Sequence, residues 1–130
     1  MAIIEVKDLT KVYGAGDTAV KALDGVNLSI ETGRLVAVMG PSGCGKSTLL
    51  HLIGGLDTPT SGTVLIDGQD ISRMKDDALT ELRRRKMGFI FQFFNLIPVL
   101  SAEENAALPL VLDGVKMEKA KSAASQWLEK

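Results

Sequence analysis

The sequence predicts an α/β fold, and three observations indicate it. A continuous apolar run at residues 35–39 leads directly into a glycine-rich segment that begins at Gly40. Apolar residues at helical spacing follow from Lys46 onward, so a strand, a glycine loop and a helix succeed one another. Before them, alternating apolar and polar residues around Val6 and Leu28 predict two antiparallel strands. We therefore expect a sheet core with an antiparallel N-terminal subdomain.

Length and charge limit the function classes. The chain has 130 residues, of which 45% are hydrophobic and 24% charged, the balance of a globular domain. The formal net charge of −1 gives no global attraction for nucleic acid or an anionic bilayer. Cys44 is the only cysteine, which excludes an intrachain disulfide and agrees with a reducing location. Glu5, Lys7 and Asp8 stand where a signal peptide would be apolar, so secretion is not expected.

The elements of the first half follow in order. Ile4, Val6 and Asp8 alternate with charged residues in the first strand, and turn residues at 13–17 separate it from the second. The apolar run 35–39 is typical of a central strand covered on both faces. The helix that begins at Lys46 should stop at Gly54.

The second half contains a hairpin, three helices and one further strand. Asp67 and Gly68 suit a tight turn between strands at 63–66 and 69–72. A helix is expected over 76–86, and a buried strand with inward Phe89 and Phe91 over 87–91.

The last part of the chain carries two more helical patterns. Ser101 and Glu104 form a capping-box pattern that should begin a helix, which Pro109 should bend or end. Residues 116–130 predict a final helix without a stop signal, so we expect an incomplete domain. Its inward side should carry Ala120, Ala124, Trp127 and Leu128.

The glycine-rich segment matches G-x-x-x-x-G-K-[ST], the phosphate-binding loop. The candidate ligand-binding residues are Gly40, Pro41, Ser42, Gly43, Cys44, Gly45, Lys46, Ser47 and Thr48. Glycines let successive backbone N–H groups point at phosphate oxygens, and the helix adds the positive end of its dipole. Lys46 should reach the β- and γ-phosphates and Ser47 should ligate Mg²⁺, while Cys44 is expected to be a small buried filler. A chance match is the alternative, but the flanking strand and helix favour a nucleoside triphosphate site.

Four segments in order resemble the ATP-binding subunit of ABC transporters, which has a P-loop NTPase core. They are an aromatic loop at 11–14, the phosphate loop at 40–48, a hairpin at 62–68, and a Q-loop at 91–98 that is followed by Glu104 and Asn105. The amino-acid sequence of residues 88–92 and 95–98 is most similar to that of the branch that handles lipoprotein release and macrolide export.

The resemblance implies roles for individual residues. Tyr13 would stack on adenine, although an ordinary turn tyrosine is the alternative. Lys46 and Gln92 would be catalytic, with Gln92 contacting Mg²⁺ and the attacking water. The implied cofactors are ATP and Mg²⁺, and the implied partners are a membrane-spanning permease and a second nucleotide-binding subunit. The implied location is cytoplasmic, on the inner face of the cell membrane.

The sequence also departs from this family. No LSGGQ-like signature, no apolar strand ending in Asp-Glu and no switch histidine occur; His51 lies mid-helix and Asp67 lies in a hairpin. We therefore expect residues 1–130 to be the N-terminal part of the domain, with a core at 1–91 and the Q-loop and start of a helical subdomain at 92–130. Such a chain should bind ATP, hydrolyse it slowly or not at all, and self-associate through exposed apolar faces.

Other interpretations of individual residues and of the function remain open. Phe93 and Phe94 are equally compatible with packing and with a surface that docks a permease. The cations at 83–86 are typical of a solvated helix end, so no nucleic-acid partner is expected. A GTPase or phosphotransferase could share the phosphate loop, but no N-K-x-D-like guanine reader is present. A non-catalytic nucleotide-binding remnant is the third possibility.

Overall fold

A computed structural model describes residues 1–130, which divide into two compact units, Met1–Leu79 and Thr80–Lys130. The first unit contains strands β1 to β4 and helix α1, and helix α2 runs across the boundary. The second unit continues with helices α3 and α4. The elements are β1 (Ala2–Tyr13), a short 3₁₀ turn (Gly16–Thr18), β2 (Val20–Glu31), α1 (Lys46–Ile53), β3 (Ser61–Ile66), β4 (Gln69–Asp70), α2 (Asp76–Lys86), α3 (Ala102–Leu112) and α4 (Met117–Leu128).

The first unit is built on one antiparallel sheet in the order β2-β1-β3-β4. The predicted pairing of the first two strands is confirmed, and so is the hairpin, whose turn places Asp67 at φ 49° and Gly68 at φ 79°. Its second strand is only two residues long rather than four.

A β-bulge at Asp8 changes which residues of β1 face inward. Asp8 has φ 48°, and its backbone N–H donates to Asn27 Oδ1 over 3.1 Å. The pairing register shifts between Val6 and Leu9, and both of these residues are buried. The predicted alternation through Asp8 is therefore wrong: the extra residue of the bulge turns Leu9 into the core.

Helix α1 closes the core of the first unit. Leu49 and Leu52, at helical spacing, are buried, and the helix contacts β1, β2 and β3. On the sheet, the buried partners include Val64 and Ile66 of β3. The helix that follows the glycine loop and its end at Gly54 are thus confirmed.

The second unit has a small core in which helix backbones approach closely. Ala107 of α3 and Ala120 and Ala124 of α4 are buried together, with Val111 and Val115 against them. Arg84 and Arg85 of α2 both donate to Asp113 Oδ1, over 3.0 and 3.2 Å, at the end of α3. No helix of the protein has the length and apolar character that crossing a bilayer requires.

Two predicted strands are not formed. Residues 34–40 and 87–91 join no strand ladder, and Leu35, Met39 and Ile90 are almost fully exposed. A strand covered on both faces needs hydrogen-bonded neighbours and helices on each side, and the four-stranded sheet supplies neither segment with such a neighbour. Phe89 is accordingly not buried; it stacks on the half-buried Phe91 with ring centroids 5.9 Å apart.

Two details of the helical predictions also need correction. Pro109 does not end α3, which continues to Leu112 before Asp113 and Gly114. Trp127 and Leu128 are exposed, because only Ala120 and Ala124 of α4 reach the core. Small residues allow that close helix packing, and the bulky pair lies beyond it near the end of the helix.

Candidate phosphate-binding site

The loop between residues 40 and 46 takes its shape from two glycines in the left-handed region. Gly43 has φ 81° and Gly45 has φ 98°, a conformation that side chains strongly disfavour. A β-carbon at Gly45 would also lie 2.5 Å from the carbonyl oxygen of Ala22 in β2. The loop is thus seated directly on the sheet, at a point where only glycine fits.

The helix that follows the loop begins without a side-chain cap. Gly45 is the N-cap residue of α1, and no side chain accepts from the first-turn N–H groups. The first backbone bond of the helix is from Leu49 N–H to the Gly45 carbonyl, at 2.9 Å. Donors at Lys46, Ser47 and Thr48 therefore remain for an anion, which the helix dipole also favours. This donor set fits a phosphate group.

Lys46 is the cation of the loop. Its ammonium donates to the carbonyl oxygens of Gly40 and Pro41, the latter over 3.0 Å. These bonds curl the side chain back over the loop, and Lys46 is itself the first residue of α1, the helix whose first-turn donors are free. An ammonium has three donors and no acceptor, so it suits phosphate oxygens.

The remaining loop residues differ in exposure. Pro41, Ser42, Cys44 and Ser47 are exposed, while Thr48 is half-buried. The prediction that Cys44 is a buried filler is therefore wrong, because its loop position lies outside the core that α1 makes with the sheet. The Cys44 N–H donates to the Pro41 carbonyl over 3.3 Å, so its backbone helps to close the loop.

Tyr13 lies at the end of β1 with its ring partly exposed. Its hydroxyl donates to Asp57 Oδ2 over 3.0 Å, and the Lys11 ammonium lies 5.1 Å from the ring centroid. Lys11 also donates to Asp57 Oδ1 over 3.3 Å and to the Thr58 carbonyl over 2.6 Å. The backbone N–H of Thr58 is the main cause that lowers the pKa of Asp57 below 3.8, and Tyr13 and Lys11 act in the same direction.

Gln92 lies in the second unit, in an exposed turn. The loop after it is fastened by Asn105, whose Oδ1 accepts from the Ile97 N–H over 2.8 Å. The Asn105 Nδ2 lies within hydrogen-bonding distance of the carbonyls of Ile97, Leu100 and Ser101. Phe93 and Phe94 are exposed beside Gln92, at 82% and 69%.

Sequence reasoning missed Asp57, and it named Asn105 only as part of the family resemblance, without its role in holding the loop. An Asp that follows a helix end reads as an ordinary turn residue, and its contact with Tyr13 spans 44 positions. Asn105 stands next to a capping-box glutamate, which was the stronger signal. No group of three or more metal-ligating His, Cys, Asp or Glu side chains occurs in the chain.

The family model described as ABC transporter matches residues 23–130. The chain is 50% identical over 128 residues to the macrolide export ATP-binding/permease protein MacB of Hyphomonas neptunium, covering 98% of this chain and 20% of that protein. It is 47% identical to the lipoprotein-releasing system ATP-binding protein LolD of Geobacter metallireducens, covering 98% of this chain and 56% of that protein. The chain thus spans between a fifth and about half of these relatives.

A solved structure has the same fold. The ATP-binding cassette MJ0796, in a dimeric post-hydrolysis state bound to ADP and phosphate, superposes with a TM-score of 0.90 at 46% identity. The match covers 97% of this chain and 56% of that one. The predicted fold class, an α/β fold with a P-loop NTPase core and an antiparallel subdomain, is confirmed, as is the resemblance to the lipoprotein-release and macrolide-export branch.

Proposed function

Because the chain belongs to the ABC transporter family, we propose that it binds ATP with Mg²⁺ at residues 40–48, as part of a cassette that drives transport across a membrane. The observation that carries the proposal is the uncapped N-terminus of α1 behind a loop that holds Lys46. Two features converge there, free backbone donors and a positive charge, and both are complementary to a triphosphate.

Each loop residue has a distinct task in this proposal. The backbone N–H groups of the loop and of the first helical turn hold the phosphates, and Lys46 binds the β- and γ-phosphate oxygens. The hydroxyl of Ser47 would hold Mg²⁺, and Thr48 would add an α-phosphate contact. The metal, when bound, neutralises charge that develops on the phosphates during transfer.

Tyr13 and Gln92 extend the proposal beyond the phosphates. Tyr13 offers a partly exposed ring at the end of β1, suited to stacking on adenine. Gln92, on an exposed turn, would contact the metal and the attacking water in the assembled cassette. The exposed aromatic residues beside it are suited to contact a membrane-spanning permease, which would hold the cassette at the cytoplasmic face of the membrane.

The isolated 130-residue chain is proposed to bind ATP but to hydrolyse it slowly or not at all. It has no LSGGQ-like motif, no strand ending in Asp-Glu and no switch histidine. Two nucleotide-binding subunits are expected to complete the site in the assembled transporter. The exposed apolar run at 35–39 supports self-association of the chain, which light scattering would measure.

Calorimetric titration of the chain with ATP and Mg²⁺ tests the binding. Lys46→Ala should raise the Kd by roughly 10- to 150-fold, because a charged hydrogen bond is worth about 1.5–3 kcal/mol. Lys119→Ala, an exposed lysine of α4, is the matched control and should leave the Kd unchanged. Equal affinity of the Lys46 variant and the parent would refute the proposed site.

Two further measurements define the limits of the proposal. Competition with GTP should show preference for ATP; a guanine preference would favour a GTPase instead. A robust ATPase rate of the isolated chain that disappears in Lys46→Ala would contradict the proposed need for a second subunit.

A further inference from the structure

The Tyr13 ring is fixed at its edge and on one face by charged groups. Asp57 Oδ2 accepts a hydrogen bond from the Tyr13 hydroxyl over 3.0 Å, and this bond restrains the hydroxyl end of the ring. The Lys11 ammonium lies over one face, 5.1 Å from the centroid. With a cation on that side, a flat ligand would have to approach the opposite face of the ring.

The two charged residues are themselves held in place. The Lys11 side chain is 14% exposed and contacts both Asp57 Oδ1 and the Thr58 carbonyl. Asp57 Oδ1 also accepts from the Thr58 N–H at 2.8 Å, which restrains the carboxylate. Each carboxylate oxygen of Asp57 therefore has a defined partner, and the hydroxyl of Tyr13 meets a preorganised acceptor.

The backbone around Asp57 is attached to β1 independently of these side chains. The Thr60 N–H donates to the Thr10 carbonyl over 2.9 Å, and the Val12 N–H donates to Thr60 Oγ1 over 3.0 Å. Removing the Asp57 charge therefore leaves the segment joined to the strand. Asp57 stands four residues after the end of α1, the helix whose first residue is Lys46. Helix α1 and the four residues after it thus connect the phosphate loop to Asp57, which holds the Tyr13 hydroxyl.

We infer that Asp57 and Lys11 are positioning residues that fix Tyr13 as a one-sided platform for the nucleobase and thereby set base affinity separately from phosphate affinity. The inference rests on the proposed function, because it assigns a base to the face of Tyr13 opposite Lys11. Asp57 acts through the ring and does not touch the phosphates. Its loss should therefore weaken binding of a nucleotide but not of a bare polyphosphate.

The test uses the 130-residue chain with Mg²⁺ and two probes, ATP and inorganic tripolyphosphate. Asp57→Asn should raise the Kd for ATP by about fivefold or more and leave the Kd for tripolyphosphate unchanged, because a stacked base contributes only to the first. Tyr13→Phe, which keeps the ring and removes the hydroxyl, should act in the same direction. The double variant should be no weaker than Asp57→Asn alone, since both changes act on the one hydrogen bond between the Tyr13 hydroxyl and residue 57.

Matched controls separate this role from general destabilisation. Asp24→Asn removes an exposed carboxylate of the same unit, whose contact is Lys21 at 3.5 Å, and should change neither Kd. Equal losses for ATP and tripolyphosphate in Asp57→Asn would overturn the inference, and so would additive effects in the double variant. If Asp57→Asn does not fold, the Kd values of Tyr13→Phe for ATP and tripolyphosphate test the inference.

The outcomes also distinguish the inference from the proposed function. Unchanged ATP binding in Asp57→Asn and Tyr13→Phe, with binding lost in Lys46→Ala, overturns the inference and leaves the proposed function intact. Failure of the parent chain to bind either probe overturns both.

Discussion

Two loops of this protein lead into helices, α1 and α3, and the two helices differ in how their first turn is capped. The phosphate loop enters α1 through Gly45, and no side chain caps the first turn. The loop after Gln92 enters α3 through Ser101, whose hydroxyl accepts from the Glu104 N–H over 3.1 Å while Glu104 Oε1 accepts from the Ser101 N–H over 3.1 Å. Asn105 then fastens the loop from inside the helix.

The difference lies in whether side chains take up the backbone donors of the first helical turn. At α3 the capping side chains take up helix donors, and Glu103 and Glu104 place negative charge in the first turn. At α1 the first turn contains no acidic residue and no cap. An anion is therefore favoured at α1 and disfavoured at α3, although both are helix N-termini.

The largest effect on stability should come from adding a side chain at Gly45 of the phosphate loop. Gly45→Ala places a side chain at φ 98° and 2.5 Å from the Ala22 carbonyl oxygen, so we expect a loss of about 3 kcal/mol in unfolding free energy. ATP binding should be lost with it. Gly25→Ala, at φ 62° in open space, is the control and should lose only about 1 kcal/mol in chemical denaturation. Equal losses would show that the contact with β2 is unimportant.

Loosening the other loop should have the next largest effect. Asn105→Ala removes the acceptor of the Ile97 N–H and the amide group whose two donors lie near three carbonyls, and we expect a loss of about 2 kcal/mol. Hydrogen exchange should show faster exchange at Ile97, with the α1 amides unchanged. Gln126→Ala, an exposed amide of α4, should change stability by less than about 0.5 kcal/mol. Protection of Ile97 in the Asn105 variant would contradict this account.

A smaller effect is expected from the cap itself. Ser101→Ala removes the acceptor of the Glu104 N–H, at a cost of about 1 kcal/mol. Ser101→Asp keeps an acceptor at that position and should recover most of the loss. Backbone chemical shifts of the first turn of α3 measure its helicity in the parent and in both variants. Identical shifts in all three proteins would mean that the cap contributes nothing.

The smallest effect should appear on acidification. The Ser101 N–H is the main cause that lowers the pKa of Glu104 below its ordinary value of 4.5. A lowered carboxyl pKa stabilises the folded state above 4.5, and this contribution is lost as pH falls through the folded value. The first turn of α3 should therefore fray as the pH falls from about 4.5 through the lower folded pKa of Glu104, while α1, without an acid in its first turn, should show no such dependence. NMR titration of both turns tests this; Glu104→Gln is the control.

Local signals were sufficient wherever one stretch of sequence decided the structure. The Ser101 and Glu104 box, the Asp67 turn and the glycine loop before α1 all depend on neighbours within a few positions. For the same reason the glycine loop and the helix that follows it could be predicted from the sequence. The family assignment then followed from several such segments in order.

Sequence reasoning failed where the outcome depends on distant partners. The run at 35–39 has the composition of a buried strand, yet burial requires neighbours that its own residues do not supply. Cys44 is small and apolar, but its exposure is set by where the loop sits on the sheet. The pairing of Tyr13 with Asp57 was equally hidden, because a bulged strand and a helix end bring them together.

Because the Lys46 ammonium is bonded to its own loop, this position distinguishes between positively charged side chains. Its three donors point in tetrahedral directions, and two of them meet the carbonyls of Gly40 and Pro41. A guanidinium is wider and planar, and its donors spread in a fixed fork that cannot fold back on two successive carbonyls in the same way. Retaining positive charge at residue 46 is therefore insufficient: the shape of the cation is part of the loop's own architecture.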